Sequence, residues 1–163
     1  MSSINVTDLE RAVGADPDNP ALRHQLGAHY AQLGLYAQAE RELYRAISLN
    51  PQAHVARLQL GLLYLTNRDP HRAISTWNAL EALDDRDPLK SFKRGLEALI
   101  RDDFVACARL LGEGIARNSV NPALNEDMRL ILARLPRPAE RNDQSGAEAV
   151  DVRTDFSLYK TRH

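Results

Sequence analysis

Cysteine is nearly absent. Cys107 is the only one in 163 residues, which excludes an intrachain disulfide framework and suits a reducing compartment. No apolar run approaches the ~18 residues of a membrane span. The N-terminal stretch MSSINVTDLERA lacks the basic flank and apolar core of a secretory signal. Neither sign of charge dominates: 21 Lys and Arg stand against 22 Asp and Glu, interspersed, for a net charge of −1. The basic stripe expected of a nucleic-acid or membrane-surface binder is therefore missing. These absences point to a cytoplasmic protein with no nucleic-acid or membrane partner, and the length suits one domain with a sizeable core.

Signals for chemistry are equally sparse. The five histidines, His24, His29, His54, His71 and His163, form no close ligand-spaced pair, and His24 and His29 are five apart, off the i, i+4 face. Asp84-Asp85 and Asp102-Asp103 fall in inferred loops, where acidic pairs serve as turn and cap residues. Cys107 occupies a small-residue packing position, which implies a buried, inert thiol. There is no glycine-rich phosphate loop. The expectation is a protein without metal, cofactor or catalytic residues.

What the chain does have is repetition. Residues 25–30 read QLGAHY and residues 59–64 read QLGLLY, 34 positions apart. The same step aligns Gly27, Gly61 and Gly95, then Ala39, Ala73 and Cys107, then Leu43, Trp77 and Leu111. Tyr30 falls on Tyr64 and Pro17 on Pro51. A period of this length signals stacked supersecondary units.

Each unit divides into two helical patterns. Leu22, Leu26, Tyr30 and Leu33 mark one face of an amphipathic helix, which Gly34 is suited to end in a left-handed cap. Ala39, Leu43, Ala46 and Ile47 mark a second helix that stops at Asn50-Pro51. The period predicts repeats at 20–53, 54–87 and 88–121. Residues 8–15 read as a lone half-repeat, with Thr7 and Glu10 as a capping box. A helix over 123–135, with the stripe Leu124, Met128, Ile131, Leu132 and Leu135, would close the other end of an array spanning 1–136.

The unit resembles the tetratricopeptide repeat through Leu26-Gly27, Tyr30, Gly34, Tyr36, Ala39, Ala46 and Pro51, and again through Leu60-Gly61, Tyr64, Ala73 and Trp77. The third copy keeps Gly95, Phe104 and Leu111 but departs from the pattern at Arg94, Cys107, Gly114 and Ser119. The resemblance implies an all-α helical-repeat solenoid of antiparallel helix pairs. It also implies a concave groove, lined by the first helix of each pair, that holds a protein or peptide segment. The groove positions would be His24, Val55, Leu58, Leu62, Leu65, Leu89, Phe92, Leu96 and Leu99. His24 and Ala28 stand where one subgroup of the family grips a C-terminal carboxylate with Lys and Asn, so that clamp is not carried over. If exposed, the eight large apolar side chains of this stripe would form a patch of about 400 Å², near the largest on ordinary monomers. The bland alternative is that they are core.

Residues 137–149 are polar and read as a flexible linker. In the segment after it, VDVRTDFSLYKTRH, a docking tail would use Val152, Phe156, Leu158 and Tyr159, either in the groove of its own chain or in that of a neighbour. Three functional readings follow: a non-catalytic adaptor, regulated by its tail; a small chaperone similar to bacterial secretion chaperones built from three tetratricopeptide repeats; or a structural homo-oligomer that exchanges tails.

Overall fold

A computed structural model describes residues 5–137. The described chain is all-α: α1 (Val6–Ala15), α2 (Pro20–Gln32), α3 (Tyr36–Leu49), α4 (His54–Thr66) and α5 (Pro70–Trp77), a 3-10 turn (Asn78–Ala82), then α6 (Pro88–Ile100), α7 (Phe104–Arg117) and α8 (Pro122–Arg134). Consecutive helices pack as antiparallel-type pairs α2/α3, α4/α5 and α6/α7. This is the all-α helical-repeat class that the sequence implies.

Asx-Pro steps set four of the starts. Asn19, Asp87 and Asn121 accept hydrogen bonds from backbone amides of the first turn, each followed by a proline at the first helical position. Asp69 does the same ahead of Pro70, accepting from the Arg72 amide at 3.0 Å. The proline loses nothing at N1, where its missing N–H would have no intrahelical acceptor, and the side-chain oxygen satisfies an orphan amide. The expected capping box at the first helix is not formed. α1 begins earlier, with Asn5 as N-cap accepting from the Asp8 amide at 2.9 Å. Glu10 turns instead to the Tyr30 hydroxyl, which donates to it at 2.6 Å.

The helix pairs end their first helices alike. Gly34 takes φ 74°, and its 34-step equivalents Arg68 and Asp102 take φ 63° and 59°. In each copy the next amide bonds back to a carbonyl five residues earlier: Leu35 to Tyr30, Asp69 to Tyr64 and Asp103 to Ala98, all at 2.9 Å. The left-handed residue and this long reverse bond form a Schellman-type cap. The glycine signal was visible in the first copy alone, yet the backbone repeats in all three.

Two compact units divide the described chain, one through Trp77 and one from Asn78. In the first, α1 packs on α2, and α3 lies against both α2 and α4. Its core holds Leu9, Val13, Leu26, Tyr30, Leu43 and the whole buried side of α4. The aligned residues 27 and 43 meet here: a Cβ on Gly27 would stand 2.8 Å from Leu43 Cγ. In the second unit Gly95 and Leu111 repeat that seat at 2.7 Å, and the Phe92 ring lies against Gly114. α8 is tied to the end of α7 by amides. Asn118 Nδ2 donates to Asn125 Oδ1 at 2.8 Å, and Asn125 Nδ2 returns to the Asn118 carbonyl at 2.9 Å. Both asparagines are buried, and this mutual pairing satisfies groups that would otherwise be costly to enclose.

Candidate functional site

The stripe expected to face solvent is enclosed. Leu58, Leu62, Phe92 and Leu96 have no accessible surface, and Leu99 and Leu65 retain 1% and 4%. His24, Val55 and Leu89 are half-buried. As an open apolar wall, the sequence reading is therefore corrected for those six residues. Neighbouring positions explain why. In α4, residues 60–65 are buried without interruption, so this helix is wrapped on nearly all sides rather than on one stripe.

α6 shows the same enclosure with charged side chains. Lys90 and Lys93 are 8% and 5% exposed. Each lysine is paired. Lys93 Nζ lies 2.6 Å from Glu81 Oε2 and 3.1 Å from Glu97 Oε1, while Lys90 Nζ reaches Asp85 at 2.8 Å and donates to the Leu83 carbonyl at 2.9 Å. Glu81 also accepts from Arg94, and the hydrogen bonds from Arg94 and Lys93 pull its carboxyl down to about 2. The long aliphatic stems of lysine permit this burial while the ammonium finds carboxylates at the rim. A cleft of about 620 Å³ opens beside this network, with Arg94, Glu97, Arg101, Arg109 and Glu113 among its walls. Its charges largely satisfy one another, for Arg109 pairs with Glu113 at 2.8 Å.

In the first unit, His24 Nε2 lies 2.6 Å from Gln59 Oε1, and burial lowers the imidazole pKa below its ordinary value. A neutral ring donating from Nε2 to the amide oxygen fits that setting. A smaller cleft of about 270 Å³ lies among α3, α4 and α5. Sequence reasoning passed over it, because its walls carry residues that differ from one copy to the next.

Cys107 is buried, and desolvation raises its thiol to about 11, the opposite of what a nucleophilic cysteine requires. Among the described residues no group of three or more His, Cys, Asp or Glu is placed to hold a metal ion, and no helix is long and apolar enough to cross a membrane. The docking-tail positions Val152, Phe156, Leu158 and Tyr159 lie outside the described residues.

Paired helices, glycine seats at a 34-residue step and repeated left-handed caps describe one supersecondary unit used several times. Residues 6–59 match the tetratricopeptide repeat family model. That stretch is similar to tetratricopeptide repeats. The chain is similar to a TPR repeat-containing protein of Treponema pallidum (strain Nichols), 38% identical over 91 residues. That match covers 51% of the present chain but only 11% of the relative. The tetratricopeptide match ends within α4, while the glycine seats and caps continue through α7.

Proposed function

We propose that this chain is a non-catalytic adaptor that holds a segment of another protein against its first-helix faces. The observation that carries this reading is the apolar content of those faces. α4 contributes Leu58, Leu62 and Leu65, and α6 contributes Phe92, Leu96 and Leu99, with half-buried Val55 and Leu89 at their edges. Because the six central side chains are enclosed, a bound segment must replace existing contacts rather than cover bare surface. The apolar tail residues Val152, Phe156, Leu158 and Tyr159 supply a natural competitor for such a face, which is the proposed basis of regulation. The chaperone and tail-exchange readings use the same chemistry with a different occupant.

A photo-crosslinking side chain placed at Val55 or at Leu89 tests the adaptor reading against one placed at Val105, which is 67% exposed on α7. Adducts to a folded partner from the first two positions and not the third support it. Adducts from Val105 alone would overturn it. Adducts from Val55 or Leu89 to the chain's own tail would assign the face to intramolecular or tail-exchange contacts.

A further inference from the structure

The small cleft in the first unit is the place where a repeated ion pair has lost its acid. In the first helix pair, Arg23 Nε donates to the Pro17 carbonyl at 2.9 Å and its Nη1 to Glu42 Oε2 at 2.6 Å. The Glu42 side chain is only 5% exposed. Thirty-four residues later Arg57 repeats the first bond, donating from Nη2 to the Pro51 carbonyl at 3.2 Å. The second bond has no counterpart, because the position equivalent to Glu42 is Thr76. The Nε–H of Arg57 is buried and has no acceptor among the described residues.

A second carboxylate is lost at the same place. Glu10, which accepts from Tyr30, is replaced 34 residues on by Tyr44, which is 63% exposed. Where the first copy has two acids, the second has a cleft of about 270 Å³ whose walls include Tyr44, Ile47, Arg57, Leu60, Arg72 and Thr76. Among the described residues, two arginines and no acid line it. Arg72 is already committed: its Nη2 bonds Glu40 and the Tyr64 hydroxyl, and its guanidinium lies 3.9 Å from the Tyr64 ring centroid. With Glu40 counted against Arg72, one positive charge remains, and it belongs to Arg57.

We propose that this cleft binds a peptide carboxylate flanked by an aromatic or branched aliphatic side chain, the carboxylate standing beside Arg57 as Glu42 stands beside Arg23. Tyr44, Ile47 and Leu60 provide apolar wall for the flanking side chain, and the Thr76 hydroxyl is a further donor. One uncompensated charge matches a carboxylate and falls short of a phosphate dianion. A carboxylate beside the uncompensated Arg57 guanidinium gains a charge-assisted bond. This site is separate from the first-helix faces, and its occupancy does not depend on the adaptor reading of those faces.

The test is an NMR titration of the full chain with acetyl-Asp-Phe-amide, followed at the Arg57 Nε–H and at Thr76. The expected result is a saturable shift of both signals, with acetyl-Asn-Phe-amide binding about tenfold more weakly or worse. Thr76→Glu restores the missing acid from within, so it should raise the melting temperature and weaken the Asp dipeptide by about tenfold or more. Thr76→Gln, neutral and close in size, should keep binding, and it stands in should the charged variant fail to fold. Acetyl-phenylalanine, with its free α-carboxylate, distinguishes the source: tighter binding than the Asp dipeptide assigns the cleft to a chain end, weaker binding to an acidic side chain. Equal binding of the Asp and Asn dipeptides, undiminished binding in Thr76→Glu, or preference for inorganic phosphate overturns the proposal. The chain's own Asp155-Phe156 has the same chemistry. An Asp155→Asn chain that binds the dipeptide tenfold tighter than the parent would make the tail the occupant and overturn a separate partner.

Discussion

Trp77 fills the space that Gly61 leaves empty. A Cβ built on Gly61 would stand 1.9 Å from the indole nitrogen, which donates to the Leu58 carbonyl at 3.0 Å. The ring is pinned at both its face and its polar edge, so it has no room to retreat. A Cβ on Gly27 would meet Leu43 Cγ at 2.8 Å and the Leu43 backbone nitrogen at 3.1 Å, and one on Gly95 would meet Leu111 Cδ2 at 2.7 Å; each is a longer approach, to a more adaptable side chain, than the 1.9 Å at Trp77. Gly61→Ala should therefore destabilise the chain by more than about 3 kcal/mol, above the usual overpacking range, and Gly27→Ala by about 1–3 kcal/mol. Thermal unfolding followed by far-UV circular dichroism ranks the two. Adding Trp77→Leu to Gly61→Ala installs the leucine that both other copies use and should recover part of the loss. A double variant no better than the single one would refute the glycine-seat account.

The repeated left-handed residue offers a prediction with two signs. Gly34 at φ 74° adopts this conformation without strain, whereas Arg68 at φ 63° carries a Cβ that disfavours it by about 1–2 kcal/mol. Gly34→Ala should lower stability by about 1 kcal/mol, and Arg68→Gly should raise it by a similar amount, less whatever the arginine side chain contributes. Urea unfolding with unchanged m-values measures both. If the two substitutions shift the midpoint in the same direction, the left-handed cap is not what these positions share.

These two sets of residues also show what was legible in the sequence. Glycine recurring opposite a large residue at a fixed step is a pattern that single letters carry, so the paired-helix fold was readable from Gly27, Gly61 and Gly95 with their partners. Arg68 and Asp102 were not readable as left-handed, because their conformation is imposed by the reverse bonds around them and not by their own preference. The burial of the groove positions was left open in the sequence for a related reason. A stripe such as Leu58, Leu62 and Leu65 has the same spacing whether it faces water or core, and only the burial of its flanks at Leu60, Leu63 and Tyr64 separates the cases. The Arg57 cleft went unseen because it depends on a difference between copies, Glu42 against Thr76, while the search for repeats rewards sameness.

His24 should make the fold sensitive to mild acid. Burial holds its folded pKa below the ordinary 6.5, so protonation favours the unfolded chain. The neutral ring's contribution is present above the unfolded value and is lost as the pH falls through and below it. Unfolding free energy should therefore decline between about pH 7 and about pH 5, and His24→Gln should flatten that decline. A variant with the parent's slope across this window would show that His24 is not the responsible group.

Glu81 governs a lower window. Arg94 and Lys93 hold its carboxyl at about 2, against an ordinary 4.5, so the proton prefers the unfolded chain. Its stabilising contribution is complete above about 4.5 and disappears as the pH falls toward about 2. The side chain is 46% exposed, so solvent and salt screen the interaction, and its worth is smaller than the shift alone would suggest. Glu81→Gln should remove part of the acid-side fall in melting temperature, and the gap between parent and variant at neutral pH should shrink with added salt. Lys93 separates this from a generic charge effect. With 5% exposure it is paired with Glu81 and Glu97, so Lys93→Met should reproduce the flattened acid limb without leaving a buried ammonium unpaired. An acid limb unchanged in both variants would mean that the network at the start of α6 does not contribute to acid stability.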